Sequence, residues 1–495
     1  MTPVISVRRI WPGTVSAGAR LRFATAQTLA IVCGLSWSIL FVIIGLGYEL
    51  ELYADGSLFS YAIAVEDAWA FHWHNISGRL FVYLFAHLPA GTYVNITGDA
   101  SGGIALYGFL FFSAPLLGLV AAFAADSSKG RVIFSYACFS TACLCPLVFG
   151  FPTETWVTHA LFWPALAVCH YGRPGVAGFA LVFVMLLSLV FTHEGALILA
   201  IAILSSLSIR GRHDAAFLRA CGAFFIVLPI WLFVKIDLPP DSYIAEVLAR
   251  AALHVFDPAI VTRSLVLLLM GAAIFYATAL FVFRRWSLSH GHACAALGTA
   301  LALILYWLFY DRALHSGDRY YLRTAILVVT PMLGMLAIAH ALAAGGKHIP
   351  ALPLLPNFTA VLKSSASARG VAAALALLTL VHAVETVKFV TAWTQYKEAV
   401  RDLSQGQVSD PSLGDARFVS SKRIDANLNR LSWASTTPYL SVLLAPEFAP
   451  AKLVIDPNTS FFWLSCHTAN ANLKAVRAVP AESRRLIAIY SCMHR

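Results

Sequence analysis

The chain has 495 residues, 59% of them hydrophobic and only 12% charged, about half the roughly 25% charged share of an average soluble domain. With a mean hydropathy of +0.74 a water-soluble fold is excluded, because so much apolar surface has no interior to hide in. The net charge of +10 does not argue for a nucleic-acid partner, since in a membrane protein the placement of Lys and Arg means more than their sum.

The N-terminal stretch MTPVISVRRIWPGTVSAGARLRF is basic, but the apolar run behind it begins too late and runs too long for a cleavable signal. It reads as a cytoplasmic tail before a first anchor. A spanning helix needs about 20 apolar residues, and such runs cover 26–48, 103–125, 131–150, 217–235, 262–283, 293–310, 324–343 and 370–392. The shorter run 156–170 spans only where the bilayer thins or its flanks snorkel. The long run 176–208 is interrupted by FTHEGA. One helix there would place His193 and Glu194 at mid-bilayer, at a cost of several kcal/mol. Two helices, 176–192 and 195–209, put the pair at a surface.

Charge placement favours two. With eleven helices and the N-terminus inside, the cytoplasmic segments are rich in Lys and Arg and hold Asp126 and Asp214 as their only acids. The outer loops then carry most of the carboxylates. A single helix would turn SIRGRHD, FRRWS and KSSASAR outward, against the positive-inside rule. The stretch 79–92, RLFVYLFAHLPAGT, is too short to span, opens with Arg79 and closes with Pro89 and Gly91. It is expected to lie on the outer surface as an interfacial helix.

Residues 393–495 are less apolar and are expected to form a small α/β domain outside, with strands in LVIDPNTSFFWLSC and RRLIAIYSC. Of the 9 cysteines, only Cys466 and Cys492 lie in this polar region, which suggests a disulfide in an oxidising compartment. The expected fold class is therefore an all-α polytopic membrane protein of about eleven helices over 1–392, with the outer loop 49–102 and the extracytoplasmic domain 393–495.

Groups that could carry chemistry gather in the outer loops. The first loop holds Asp55, Glu66, Asp67, His72, His74 and Arg79. Glu154 follows in FPTET, His193 and Glu194 in THEG, Asp237 and Asp241 in KIDLPPDSY, and Arg312, His315, Arg319 and Tyr320 in YDRALHSGDRYYLR. A single outward carboxylate is ordinarily just solvated, and His beside Glu in a short apolar turn is harder to explain that way. His72 and His74 share one side of a strand, but two imidazoles without a third ligand do not make a zinc site. A divalent metal is left open.

The order of these features resembles the GT-C membrane glycosyltransferases, which use polyprenyl-phosphate-linked sugar donors. The likeness rests on YADGSLFSYAIAVEDAW, then ISGRLFVYLFAHLPAG, then the span 103–125, and later on DRYYLRTAILVVTPMLGMLA. It covers most of the membrane region by layout and about forty residues by motif. The resemblance implies transfer of a sugar to a lipid, glycan or protein acceptor at the extracytoplasmic face, in a bacterial inner membrane, with membrane lipids around the donor's tail. Asp55, Glu66 and Asp67 are the implied catalytic carboxylates. Arg319 with Tyr320, Arg312 and Arg79 would hold the phosphate, and His72, His74, Glu154, His193, Glu194 and His315 would line the substrate site. Asp55 is followed by Gly56 rather than by a second acid, so the base stays open among the three carboxylates. The alternatives are a membrane transporter, against which stands the lack of matched interrupted segments in two halves, and a non-catalytic membrane subunit of an envelope assembly complex.

Overall fold

The computed structural model describes residues 17–64, 79–144, 154–210, 214–237, 264–283, 288–306, 320–345, 364–406, 418–429, 431–433, 436–448 and 450–456. The chain is an integral membrane protein. Five described helices are long and apolar enough to cross a bilayer. Large apolar side chains stand exposed along them, such as Ile43, Phe225, Phe233 and Val387. In water such a surface would aggregate, whereas in lipid it needs no partner.

The first helix, α1 (Ala17–Gly47), ends at a tight junction containing a 3₁₀ turn, Leu50–Leu52, before α2 (Asp55–Ala64). The helix expected over 79–92 is seen as α3 (Leu80–Val82), a π segment Tyr83–His87 and α4 (Leu88–Thr97) in direct succession. It runs past the expected end at residue 92. Pro89 stands at the start of α4, where the wider π turn before it supplies the room a proline needs. The true stop is Gly98, in the left-handed region at φ 71 with its N–H donated to Val94 O at 2.7 Å, an αL cap. Val82, Ala86, Ala90 and Val94 are buried along one face of this segment.

Helices then follow in the expected order: α5 (Ala100–Ala125), α6 (Val132–Leu144), α7 (Glu154–Tyr171), α8 (Val176–Val190), α9 (Ala196–Ser208), α10 (Ala215–Asp237), α11 (Ser264–Phe283), α12 (Leu288–Tyr306), α13 (Tyr320–Ala344) and α14 (Ser365–Gln405). The run 176–208 is two helices, as its charged interruption requires. Helix α5 packs on α7 and α1 on α6, with α13 against α6 and α9. At the α5–α7 crossing a Cβ on Gly118 would lie 2.6 Å from the Ala160 carbonyl oxygen, so only glycine lets these backbones approach, as is common between helices in lipid.

Helix α14 has 41 residues, about 60 Å at 1.5 Å per residue and twice the roughly 30 Å of a hydrocarbon core. The expected division at 392/393 falls inside it. Its late turns bury Trp393, Tyr396 and Val400 in the same apolar cluster as Leu50, Leu58 and Tyr61. The segment after it adds β1 (Phe418–Ser420), α15 (Ala426–Asn429), α16 (Thr437–Leu443) and β2 (Leu453–Ile455). The strand expected in LVIDP is β2, paired in parallel with β1. This segment is part of the core around α2. Tyr439 packs on Tyr61 with ring centroids 5.1 Å apart, and Ser57 Oγ donates to Thr436 O at 3.3 Å. Cys466 and Cys492, and with them the expected disulfide, lie outside the described residues.

Candidate functional site

Four elements meet in an ion-pair network. Arg79 precedes α3, Glu154 opens α7, Glu194 sits in the turn between α8 and α9, and Lys235 lies in the last turn of α10. Arg79 Nη1 donates to Glu154 Oε1 at 2.9 Å, while its Nη2 and Nε donate to Glu194 Oε2 at 2.9 and 3.2 Å. Lys235 Nζ donates to the other Glu194 oxygen at 2.7 Å. The positions suit the helix dipoles: both acids stand at helix N-termini and the lysine at a C-terminus.

The turn carrying Glu194 is built by local hydrogen bonds. Phe191 N–H closes α8 on Leu187 O at 2.9 Å, and Ala196 N–H opens α9 on His193 O at 2.9 Å. Gly195 N–H donates to His193 Nδ1 at 3.0 Å, so a neutral His193 ring carries its proton on Nε2. Helix α3 is tied to the same turn, since Phe81 N–H donates to Phe191 O at 3.1 Å.

Among the described residues two carboxylates face two cations, with side chains no more than 17% exposed. Burial opposes ionisation of Glu194, but Arg79, His193 and Lys235 together hold its carboxyl well below the usual carboxylate range. Burial likewise opposes the charge on Arg79, and Glu154 and Glu194 outweigh it. Each charge depends on its partners.

A second group adjoins through Glu154. His87 is buried, edge-on to Phe59 at 4.8 Å and tilted on Tyr107 at 5.1 Å. Burial pushes the His87 ring down to about 4, against the pull of Glu154, so it is neutral at physiological pH. Asp55 is the half-buried first residue of α2, and its charge, like those of Glu154 and Glu51, acts on Tyr107. Its junction is bracketed by Glu49 at φ 55 and Ala54 at φ 56, two non-glycine residues in the left-handed region, each costing about 1–3 kcal/mol.

Of the residues expected at a site, Arg79, Glu154 and Glu194 are brought together, His193 stands beside them and Asp55 lies on the neighbouring element. Glu66, Asp67, His72, His74, Arg312, His315 and Arg319 lie outside the described residues, and so does the side chain of Tyr320, which opens α13. Sequence reasoning missed Lys235, which reads as the end of a span, although KIDLPPDSY was marked as an outer loop. It also missed His87, Tyr107 and Glu51. For Glu51 a signal existed, since ELYAD places it one helical turn before Asp55. Among the described residues no group of three or more His, Cys, Asp or Glu side chains is placed to hold a metal ion.

No family model, curated protein or solved structure matches the chain.

Proposed function

We propose that the chain is a GT-C-type membrane glycosyltransferase that moves a sugar from a polyprenyl-phosphate-linked donor to an acceptor at the extracytoplasmic face. The observation that supports this reading is the joining of Arg79, which leads into α3, to Glu154 and Glu194 at helix N-termini, with α3 and α4 following the acidic first loop that opens with Asp55 in α2. A transferase of this kind needs a carboxylate to take the acceptor's hydroxyl proton, cations for the departing lipid phosphate, and an apolar approach for the lipid tail.

In this reading the Asp55 carboxylate accepts the proton as the acceptor oxygen attacks the anomeric carbon. The bond to the phosphate oxygen breaks and the configuration inverts. Glu66 and Asp67 are the alternative bases. Three N–H donors of Arg79 are taken up by Glu154 and Glu194, so its part is to hold the first loop against the turn at Glu194. The lipid phosphate falls to Arg319 with Tyr320 and to Arg312. The finer topology belongs to the same proposal. The chain crosses a bacterial inner membrane eleven times, the N-terminus is cytoplasmic, and residues after α14 lie outside, where Cys466 and Cys492 are bridged.

The test is transfer by the purified chain in lipid vesicles from a panel of radiolabelled polyprenyl-phosphate sugars. Asp55→Asn should lower turnover about 10²–10⁴-fold with donor binding nearly unchanged, and Arg319→Ala should weaken donor binding. Full transfer by Asp55→Asn, Glu66→Gln and Asp67→Asn, each taken singly, overturns the proposal.

A further inference from the structure

Glu51 lies in the 3₁₀ turn between α1 and α2, is only 5% exposed, and its Oε2 has no hydrogen-bond partner. Each element around it can be asked for a counter-ion. The end of α1 offers Glu49, a second acid. Helix α2 offers Asp55 and Ser60, whose hydroxyl donates to the Glu51 backbone carbonyl at 3.1 Å. Helix α5 offers Gly108, where any Cβ would stand 3.0–3.2 Å from the Glu51 side chain, and Tyr107, fully buried, whose hydroxyl also lacks a partner. Helix α7 offers Glu154, already paired with Arg79. Helix α14 offers Lys397, but its ammonium donates to Glu49 and to the Tyr48 carbonyl at 2.9 Å.

Among the described residues no cation is left for Glu51 itself. An enclosed carboxylate without a counter-ion is costly, and such a group takes up a proton instead. We propose that Glu51 is a proton-binding site, a carboxylic acid held neutral between α1, α2 and α5, with the Tyr107 hydroxyl as the second polar group of the same enclosure. The ligand is a solvent proton. Burial pushes the Glu51 carboxyl up to about 8, against a hydrogen bond from its own backbone; Glu49 adds to the rise and Lys397 opposes it.

The site has a consequence for its surroundings. While Glu51 is neutral it adds no charge next to Asp55, and Lys397 stays on Glu49. Once ionised, Glu51 competes with Glu49 for Lys397, the cation that ties α14 to the α1–α2 junction. Proton loss at one side chain thereby bears on the contact between the long last helix and the start of α2.

The experiment is an infrared pH titration of the full-length protein in lipid nanodiscs, from about pH 5 to about pH 10, and it needs neither donor nor acceptor. The wild type should show a protonated-carboxyl carbonyl band that persists at neutral pH and disappears with a midpoint near 8. Glu51→Gln should remove that band. Lys397→Met, which keeps the packing and deletes the cation, should raise the midpoint, and Glu49→Gln should lower it. A neutral-pH band of unchanged size in Glu51→Gln overturns the proposal, as does a midpoint in the ordinary carboxylate range. If Glu51→Gln does not fold, the two neighbouring variants decide, and unchanged midpoints in both overturn it equally. Loss of transferase activity plays no part in this readout, so failure of one proposal leaves the other standing.

Discussion

Glu194 and Glu51 are both enclosed acids on connections between helices, and their surroundings treat their charge in opposite ways. Glu194 has Arg79 on one oxygen and Lys235 on the other, and its carboxyl is held well below the usual range. Glu51 has no cation of its own among the described residues, and its carboxyl is pushed up to about 8. Burial opposes ionisation at both, although Glu51 is buried and Glu194 half-buried. The difference lies in what the neighbouring helices bring, since α10 ends in a lysine aimed at Glu194, while the lysine of α14 is taken by Glu49 before it can serve Glu51. Enclosure decides that a charge needs a partner, and the tertiary neighbours decide whether it has one.

The largest effect is expected at Arg79. Arg79→Met deletes the guanidinium shared by Glu154 and Glu194 and leaves two buried carboxylates with one lysine. The expected loss is about 3–5 kcal/mol of stability, read as unfolding of the purified protein in detergent. A loss below about 1 kcal/mol would mean that water already solvates the network.

A smaller effect separates the two acids by the sign of their pH dependence. The folded-state value of Glu194 lies below its unfolded one of about 4.5. Its contribution is therefore full above that pH and lost as pH falls through the folded value. The value of Glu51 is raised to about 8, so its contribution is full below about 4.5 and lost as pH rises through 8. Melting curves across pH should show Glu194→Gln flattening the acid limb and Glu51→Gln flattening the slope between those two values. Both variants flattening the same limb would erase the distinction.

The smallest effect calibrates the others. Glu385 and Lys388 on α14 pair at 2.9 Å with the lysine side chain 52% exposed. Lys388→Ala should cost no more than about 1 kcal/mol in the same unfolding assay. A loss as large as that of Arg79→Met would show that exposure does not separate the two kinds of pair.

Much of the fold was legible because lipid enforces a simple rule. A run of about 20 apolar residues has to be helical there, since no water remains to satisfy its backbone, and helices stand in every expected run. The interruption at FTHEGA was legible for the same reason, because His193 and Glu194 would be costly at mid-bilayer. It also marked Arg79, Glu154 and Glu194 as residues to watch. The extent of α4 was not legible. Pro89 and Gly91 signal a stop to sequence reasoning, yet the π segment before them carries the helix on to Thr97. Nor was the course of α14, whose turns after residue 392 look polar enough to leave the helix but bury Trp393 and Tyr396 against α2 and its neighbours.

Local sequence was enough to show an integral membrane protein of apolar helices, where its charged interruptions fall, and which side chains stand on them. Apolar length and the price of burying a charge are local quantities, and local sequence is enough to read them. It took the packing of the helices to join Arg79 to Glu154 and Glu194, to bring Lys235 onto Glu194, and to leave Glu51 without a cation among the described residues. Those outcomes depend on side-chain atoms meeting within about 3 Å from helices far apart in the chain, and no spacing along the sequence encodes which helix end supplies the partner.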